Sequence, residues 1–198
     1  MDKLEVRNFI KDTLIESSEV KKKIIDECST DIEKAVDLLV HSFKNGKKLL
    51  LAGNGGSAAD CQHIATEFVI RFRADFPRPS IPAFAITTDT SNITAGGNDI
   101  GFDNTFARNV EGLGSEGDVL WAISTSGNSE NLIRAIAKAK EKKMHVLSFL
   151  GNGGGKMKEI SDVSIIVPAN GTARVQEGHI TIAHIICHLV ERSLYQPE

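Results

Sequence analysis

His63 and Glu67 stand four residues apart, directly behind the glycine-rich turn Gly53-Asn54-Gly55-Gly56-Ser57. Side chains at i and i+4 of a helix share a face, so this spacing sets an imidazole beside a carboxylate, two groups able to carry protons. The turn offers a second chemistry. Its glycines allow a tight backbone reversal, and the first N–H groups of a helix, which lack partners within it, attract anions such as phosphate. The run Ser124-Thr125-Ser126-Gly127-Asn128-Ser129 is another candidate anion site, dense in hydroxyl donors and leading into a helical pattern at Glu130. It could hold a phosphate through hydroxyls and backbone N–H groups without a lysine. Each motif alone also fits a plainer reading: a solvent-facing contact, a strand-to-helix connection, or a Ser/Thr helix cap.

These residues must be carried by regular elements, and the pattern supplies them. Short apolar runs bounded by turn residues predict strands at Leu49–Ala52, Ala83–Ile86, Val119–Ile123, Val146–Phe149 and Ser164–Val167. Helical spacing predicts helices at Ala58–Ile70, around Ser91–Gly97, and at Thr105–Gly112, Glu130–Lys143 and Val175–Leu194. Two further helices are expected first, Leu4–Asp26 and Thr30–Asn45, with Asn45-Gly46 as a stop signal. Strands that alternate with helices imply an α/β fold, a parallel sheet flanked on both faces, whose ligands collect beyond the carboxyl ends of the strands. Both candidate anion loops follow predicted strands.

Composition narrows the function classes. The chain has 198 residues, 41% hydrophobic and 25% charged, which fits one globular domain with a substantial core. Lys plus Arg number 23 against 26 Asp plus Glu, so no overall positive field exists to hold a nucleic-acid backbone. No apolar run is long enough to span a bilayer, and the interleaved charges of Met1 to Arg7 are unlike a secretory signal. Cys28, Cys61 and Cys187 have no Cys-x-x-Cys spacing, and a reducing cytoplasm is the expected home. Cys61 reads as a packing residue. Gly151 to Lys156 fails as a P-loop because its spacing is wrong and Met157 stands where a Mg²⁺-binding hydroxyl is required, and no Rossmann fingerprint follows Ala52.

The motifs together resemble the sugar isomerase (SIS) domain family, and within it the phosphoheptose isomerases. The likeness rests on Ala52 to Asp60 with Gln62-His63 and Glu67, on Asn98-Asp99, on Ile123 to Ser129, and on Arg174-Val175-Gln176-Glu177 with His179 and His184. It covers most of the chain, in the family's order. The resemblance implies a five-stranded parallel sheet in a flavodoxin-like three-layer sandwich. It divides residues 1–198, one SIS domain, into a helical oligomerisation segment (1–45) and a sugar-phosphate-binding core (46–198). It further implies a cytoplasmic homotetramer with active sites between subunits and one Zn²⁺ per subunit. By position, Glu67 matches the family's base and His184 its second acid/base group, and His63, Glu67, Gln176 and His184 match the metal ligands. Asn54, Gly55, Gly56, Glu67, Asn98, Asp99, Ser124, Thr125, Ser126, Ser129 and Gln176 match substrate-binding positions.

The implied activity converts D-sedoheptulose 7-phosphate to D-glycero-D-manno-heptose 7-phosphate through an enediol, for the heptoses of lipopolysaccharide or capsule. One carboxylate can move the carbon-bound proton if held over both carbons, and a histidine suits proton movement among the oxygens. Zn²⁺ would polarise the carbonyl, although metal binding makes Glu67 a poorer base. On a continuous helix Gln176 and His184 lie about 12 Å apart along the axis, so shared coordination requires an irregular helix start or ligands from different subunits. Asn109, where the family usually has glutamine, and the glycine-rich Gly151–Gly155 run bear on fine substrate preference. The rival reading is a non-catalytic SIS protein, a sugar-phosphate sensor or an adaptor for a replication initiator; such adaptors lack the equivalents of Glu67 and His184.

Overall fold

The computed structural model describes residues 2–195. A long helix α1 (Lys3–Lys44) precedes β1 (Leu49–Gly53), α2 (Gly56–Val69), β2 (Ala83–Ala85), α3 (Thr90–Asp99), α4 (Phe102–Leu113) and β3 (Val119–Ser124). The chain continues through α5 (Glu130–Glu141), β4 (His145–Leu150), a 3₁₀ turn at Asn152–Gly154, α6 (Met157–Ile160), β5 (Val163–Ile166) and α7 (Thr172–Tyr195). The five strands lie where short apolar runs predict them, with no end moved by more than one residue.

The expected pair of N-terminal helices is a single helix of 42 residues. No glycine or proline interrupts Asp26 to Thr30, and Ser29 Oγ donates to the Ile25 carbonyl at 2.6 Å, which satisfies its hydroxyl without ending the helix. The buried positions Val20, Ile24, Cys28, Ile32, Val36 and Leu39 run through the expected break at helical spacing. At the start, the Asp2 carboxylate accepts from the N–H groups of Leu4 and Glu5 while Glu5 closes back on the Asp2 N–H, a capping box.

All strand pairs are parallel and the order is β2-β1-β3-β4-β5. Alternate strand residues face opposite layers. Leu49, Leu51, Trp121, Ile123 and Phe149 pack with α1, α2 and α7; Leu50, Ala52, Leu120, Ala122 and Val146 pack with α4, α5 and α6. Cover on both faces explains why β1 and β3 read as unbroken apolar runs. In this order the connections reverse direction between β1 and β3, the switch point at which open α/β sheets bind ligands. Gly53 pairs with Ile123 there, so the Gly53–Ser57 turn and the Ser124–Ser129 loop leave the sheet side by side.

Candidate active site

Helix α2 buries Cys61, Ile64, Ala65 and Phe68, which turns His63 and Glu67 toward its open side. His63 Nε2 lies 3.1 Å from Glu67 Oε1, with the side chains 46% and 18% exposed. The third member comes from α7: His184 Nε2 lies 3.4 Å from His63 Nε2, and the two rings meet edge to face at 5.0 Å. Ligand atoms of His63, Glu67 and His184 all fall within 4.8 Å of one another. Phe72 closes the side of this cluster, its ring 5.7 Å from those of both His184 and His188.

The cluster gathers two imidazole nitrogens and a carboxylate oxygen, a donor set that suits Zn²⁺, and the shared gap is small enough for one cation to bind all three. The residues present therefore fit the implied metal. The fourth implied ligand is placed differently. Helix α7 runs unbroken past Gln176, and the Gln176 amide lies against Gly56, where an added Cβ would meet its Nε2 at 2.5 Å. Gly56 opens α2 two turns before His63, so one chain joins three of the four residues and sets Gln176 at the glycine turn. The neighbouring Asp60 has its carboxyl pushed above its ordinary range by burial, against the pull of His63, and its Oδ2 is buried without a partner.

The two anion loops are built differently. At the glycine turn Gly55 takes φ +55° and precedes α2 with no side-chain cap, which leaves the helix start open. The side chain of Asn54, expected on substrate, is engaged by Asn131: each amide nitrogen donates to the other's oxygen, at 3.0 and 2.9 Å. This reciprocal pair ties the turn to the first residues of α5. In the hydroxyl loop Ser129 makes no capping bond to α5; its Oγ lies 3.2 Å from that of Ser124, which is 3.4 Å from Ser126 Oγ. The hydroxyls thus converge on one another rather than on the helix, contrary to a plain cap cluster. Thr125 lies in the same loop, and its carbonyl accepts from Asn152 Nδ2. Asn98 and Asp99 close α3 and bond each other at 2.7 Å; among the described residues no hydrogen bond joins them to the other candidates.

His179 and His188 part company with His184. His179 is buried with Nε2 3.0 Å from the Leu150 carbonyl oxygen, and desolvation lowers its pKa to about 4. Burial pushes the Cys61 and Cys187 thiols up, which suits packing and not nucleophilic attack. Sequence reasoning missed Asn131, Phe72, Arg78 and Glu191. Only Glu191 carries a periodic signal, seven residues after His184 and so on the same side of α7.

The SIS domain profile matches residues 14–151. The phosphoheptose isomerase of Pelodictyon phaeoclathratiforme is 47% identical over 194 residues, covering 98% of this chain and 92% of the relative. Among solved structures, the phosphoheptose isomerase of Neisseria gonorrhoeae superposes with a TM-score of 0.88 at 40% identity, over 93% of this chain and 98% of that one. That of Francisella tularensis gives 0.91 at 33% identity, over 97% and 100%. The chain is an isomerase of the SIS-domain family and belongs, within it, to the phosphoheptose isomerases.

Proposed function

We propose that this enzyme interconverts D-sedoheptulose 7-phosphate and D-glycero-D-manno-heptose 7-phosphate. The observation that carries the reading is the meeting of His63, Glu67 and His184, the two histidines standing 121 positions apart in sequence, near loops suited to a phosphate. Glu67 takes the proton from the carbon next to the ketose carbonyl and returns it to the former carbonyl carbon. His184 moves the remaining proton between the two oxygens, so the enediol collapses to the aldose with no external oxidant or reductant. Ser124, Thr125, Ser126 and Ser129 receive the phosphate, with the backbone of Asn54, Gly55 and Gly56 facing it. Asn98, Asp99 and Gln176 meet the sugar hydroxyls.

His63, Glu67 and His184 would hold one Zn²⁺ per subunit, while Gln176, the fourth of the implied set, lies at the glycine turn. When bound, the metal supplies Lewis acidity toward the sugar oxygens. The chain works as a homotetramer with α1, within the 1–45 segment, as its oligomerisation element, and 46–198 as the sugar-phosphate core. A reducing cytoplasm fits Cys28, Cys61 and Cys187, all free and buried. Among the described residues no helix is long and apolar enough to cross a membrane.

The deciding assay follows aldoheptose phosphate formation from sedoheptulose 7-phosphate, with and without a chelator. Wild type turns over; Glu67→Gln loses at least a thousandfold in kcat while keeping its fold and assembly; chelation lowers the rate. Full activity in Glu67→Gln would sink the mechanism. A wild type inert on seven-carbon phosphates that binds a replication initiator would favour the adaptor reading.

A further inference from the structure

Glu67 and His184 sit on different helices, so any chemistry they share depends on what fixes α2 against α7. Arg78, in the segment between α2 and β2, stands at that junction. Its side chain and that of Glu191 are each 1% exposed and paired, with Arg78 Nε 2.8 Å from Glu191 Oε2. Its other two nitrogens turn to the end of α2: Nη2 donates to the Glu67 carbonyl at 2.7 Å, and Nη1 donates to the carbonyls of Phe68 at 2.7 Å and Pro79 at 2.9 Å. We propose that Arg78 is a positioning residue for the site, holding with Glu191 the last turn of α2 and the Phe72 ring so that Glu67 and His184 keep a fixed separation.

The bonding pattern supports this assignment at both ends. The last carbonyls of a helix lack partners within it, and a planar guanidinium fork can grip two successive ones in a single orientation where an ammonium cannot. One of the two belongs to Glu67 itself. On the α7 side, Glu191 follows His184 by two turns on the same face. Its Oε2 also accepts from the Phe72 N–H at 3.3 Å, and the Phe72 ring packs 5.7 Å from that of His184. One buried carboxylate is therefore linked to each proton-moving residue through a single intermediary. A pair serving stability alone has no reason to converge on these two residues.

The proposal rests on Glu67 and His184 being the proton-moving groups. Its test uses Arg78→Lys, Glu191→Gln and Arg78→Gly in the full-length enzyme, with Asp118→Asn as a control. Asp118 is also buried, and its hydrogen bonds run to Lys48, Ser115 and His145, none of which lies in α2, α7 or the segment between α2 and β2. At a temperature where circular dichroism shows each variant folded, Arg78→Lys and Glu191→Gln are expected to lose at least tenfold in kcat with KM within threefold of wild type. Added guanidinium should restore part of the kcat of Arg78→Gly, while Asp118→Asn loses melting temperature and keeps its kcat. Unchanged kcat in the folded Arg78 and Glu191 variants overturns the proposal, as does failure of all three to fold, which would assign the pair to folding alone. If wild type turns over and Glu67→Gln does not, an unaffected Arg78→Lys overturns the positioning role only; a fully active Glu67→Gln overturns the reading beneath it.

Discussion

His179 occupies the buried face of α7 with one ring nitrogen at the Leu150 carbonyl and Nδ1 buried without a partner. That setting suits a neutral ring, since protonation would place a charge in the layer shared with Phe149. The folded pKa of about 4 lies below the ordinary 6.5. The contribution to stability is therefore fully present above pH 6.5 and is lost as pH falls toward 4, at up to about 1.4 kcal/mol per pH unit. Denaturant midpoints at pH 7 and pH 5 should fall steeply in wild type and less in His179→Gln; an identical fall in both would refute this origin. The same residue-scale view separates Asn54 from its loop neighbours, because Asn131 engages one N–H and one lone pair of its amide and fixes its orientation, leaving one N–H and one lone pair for a substrate.

At the scale of elements, the proposed phosphate loop depends on how closely the β3–α5 connection approaches the segment after β4. Gly127 adopts φ +64°, and a Cβ there would lie 1.9 Å from the Gly154 carbonyl oxygen, so any side chain must push the two segments apart. Gly127→Ala should raise the KM for the sugar phosphate at least tenfold while leaving most of the kcat at saturation; steady-state kinetics checks it, and an unaltered KM would show that the loop does not carry the phosphate. The junction of α2 with α7 is the second such dependence. Removing one partner of a fully buried ion pair costs about 3–5 kcal/mol, which is why the Arg78 and Glu191 variants require a control of similar burial placed away from the site.

For the whole molecule, α1 leaves Leu4, Phe9, Leu14 and Ile25 at 64–66% exposure, spread around the helix and not along one side of it. Large apolar residues exposed on several sides of one helix mark a contact surface, which accords with the proposed homotetramer. Phe9→Glu with Leu14→Glu should lower the mass measured by light scattering below that of a tetramer and reduce activity if sites lie between subunits. A monomeric wild type, or a variant that remains tetrameric, would remove α1 from that role.

Local information is legible in the sequence by itself. The five strands, the helices of the core, the two anion loops and the pairing of His63 with Glu67 follow from periodicity, turn chemistry and i,i+4 spacing, because these depend on neighbours within a few residues. The expected N-terminal break fails for the same reason: polar residues at Asp26 to Thr30 look like a boundary in a short window, whereas Cys28 is buried in the stripe that continues through them. By residue chemistry alone, the three histidines of the last helix are equivalent, and resemblance singles out His184. Packing separates them: His179 points into the sheet, His188 stops at Phe72, and His184 reaches His63. Which side chains meet across more than a hundred residues depends on sheet order and on the rotation of α7 against α2. Only the tertiary structure decides these, because they minimise exposed apolar surface over the whole chain and not within any one segment.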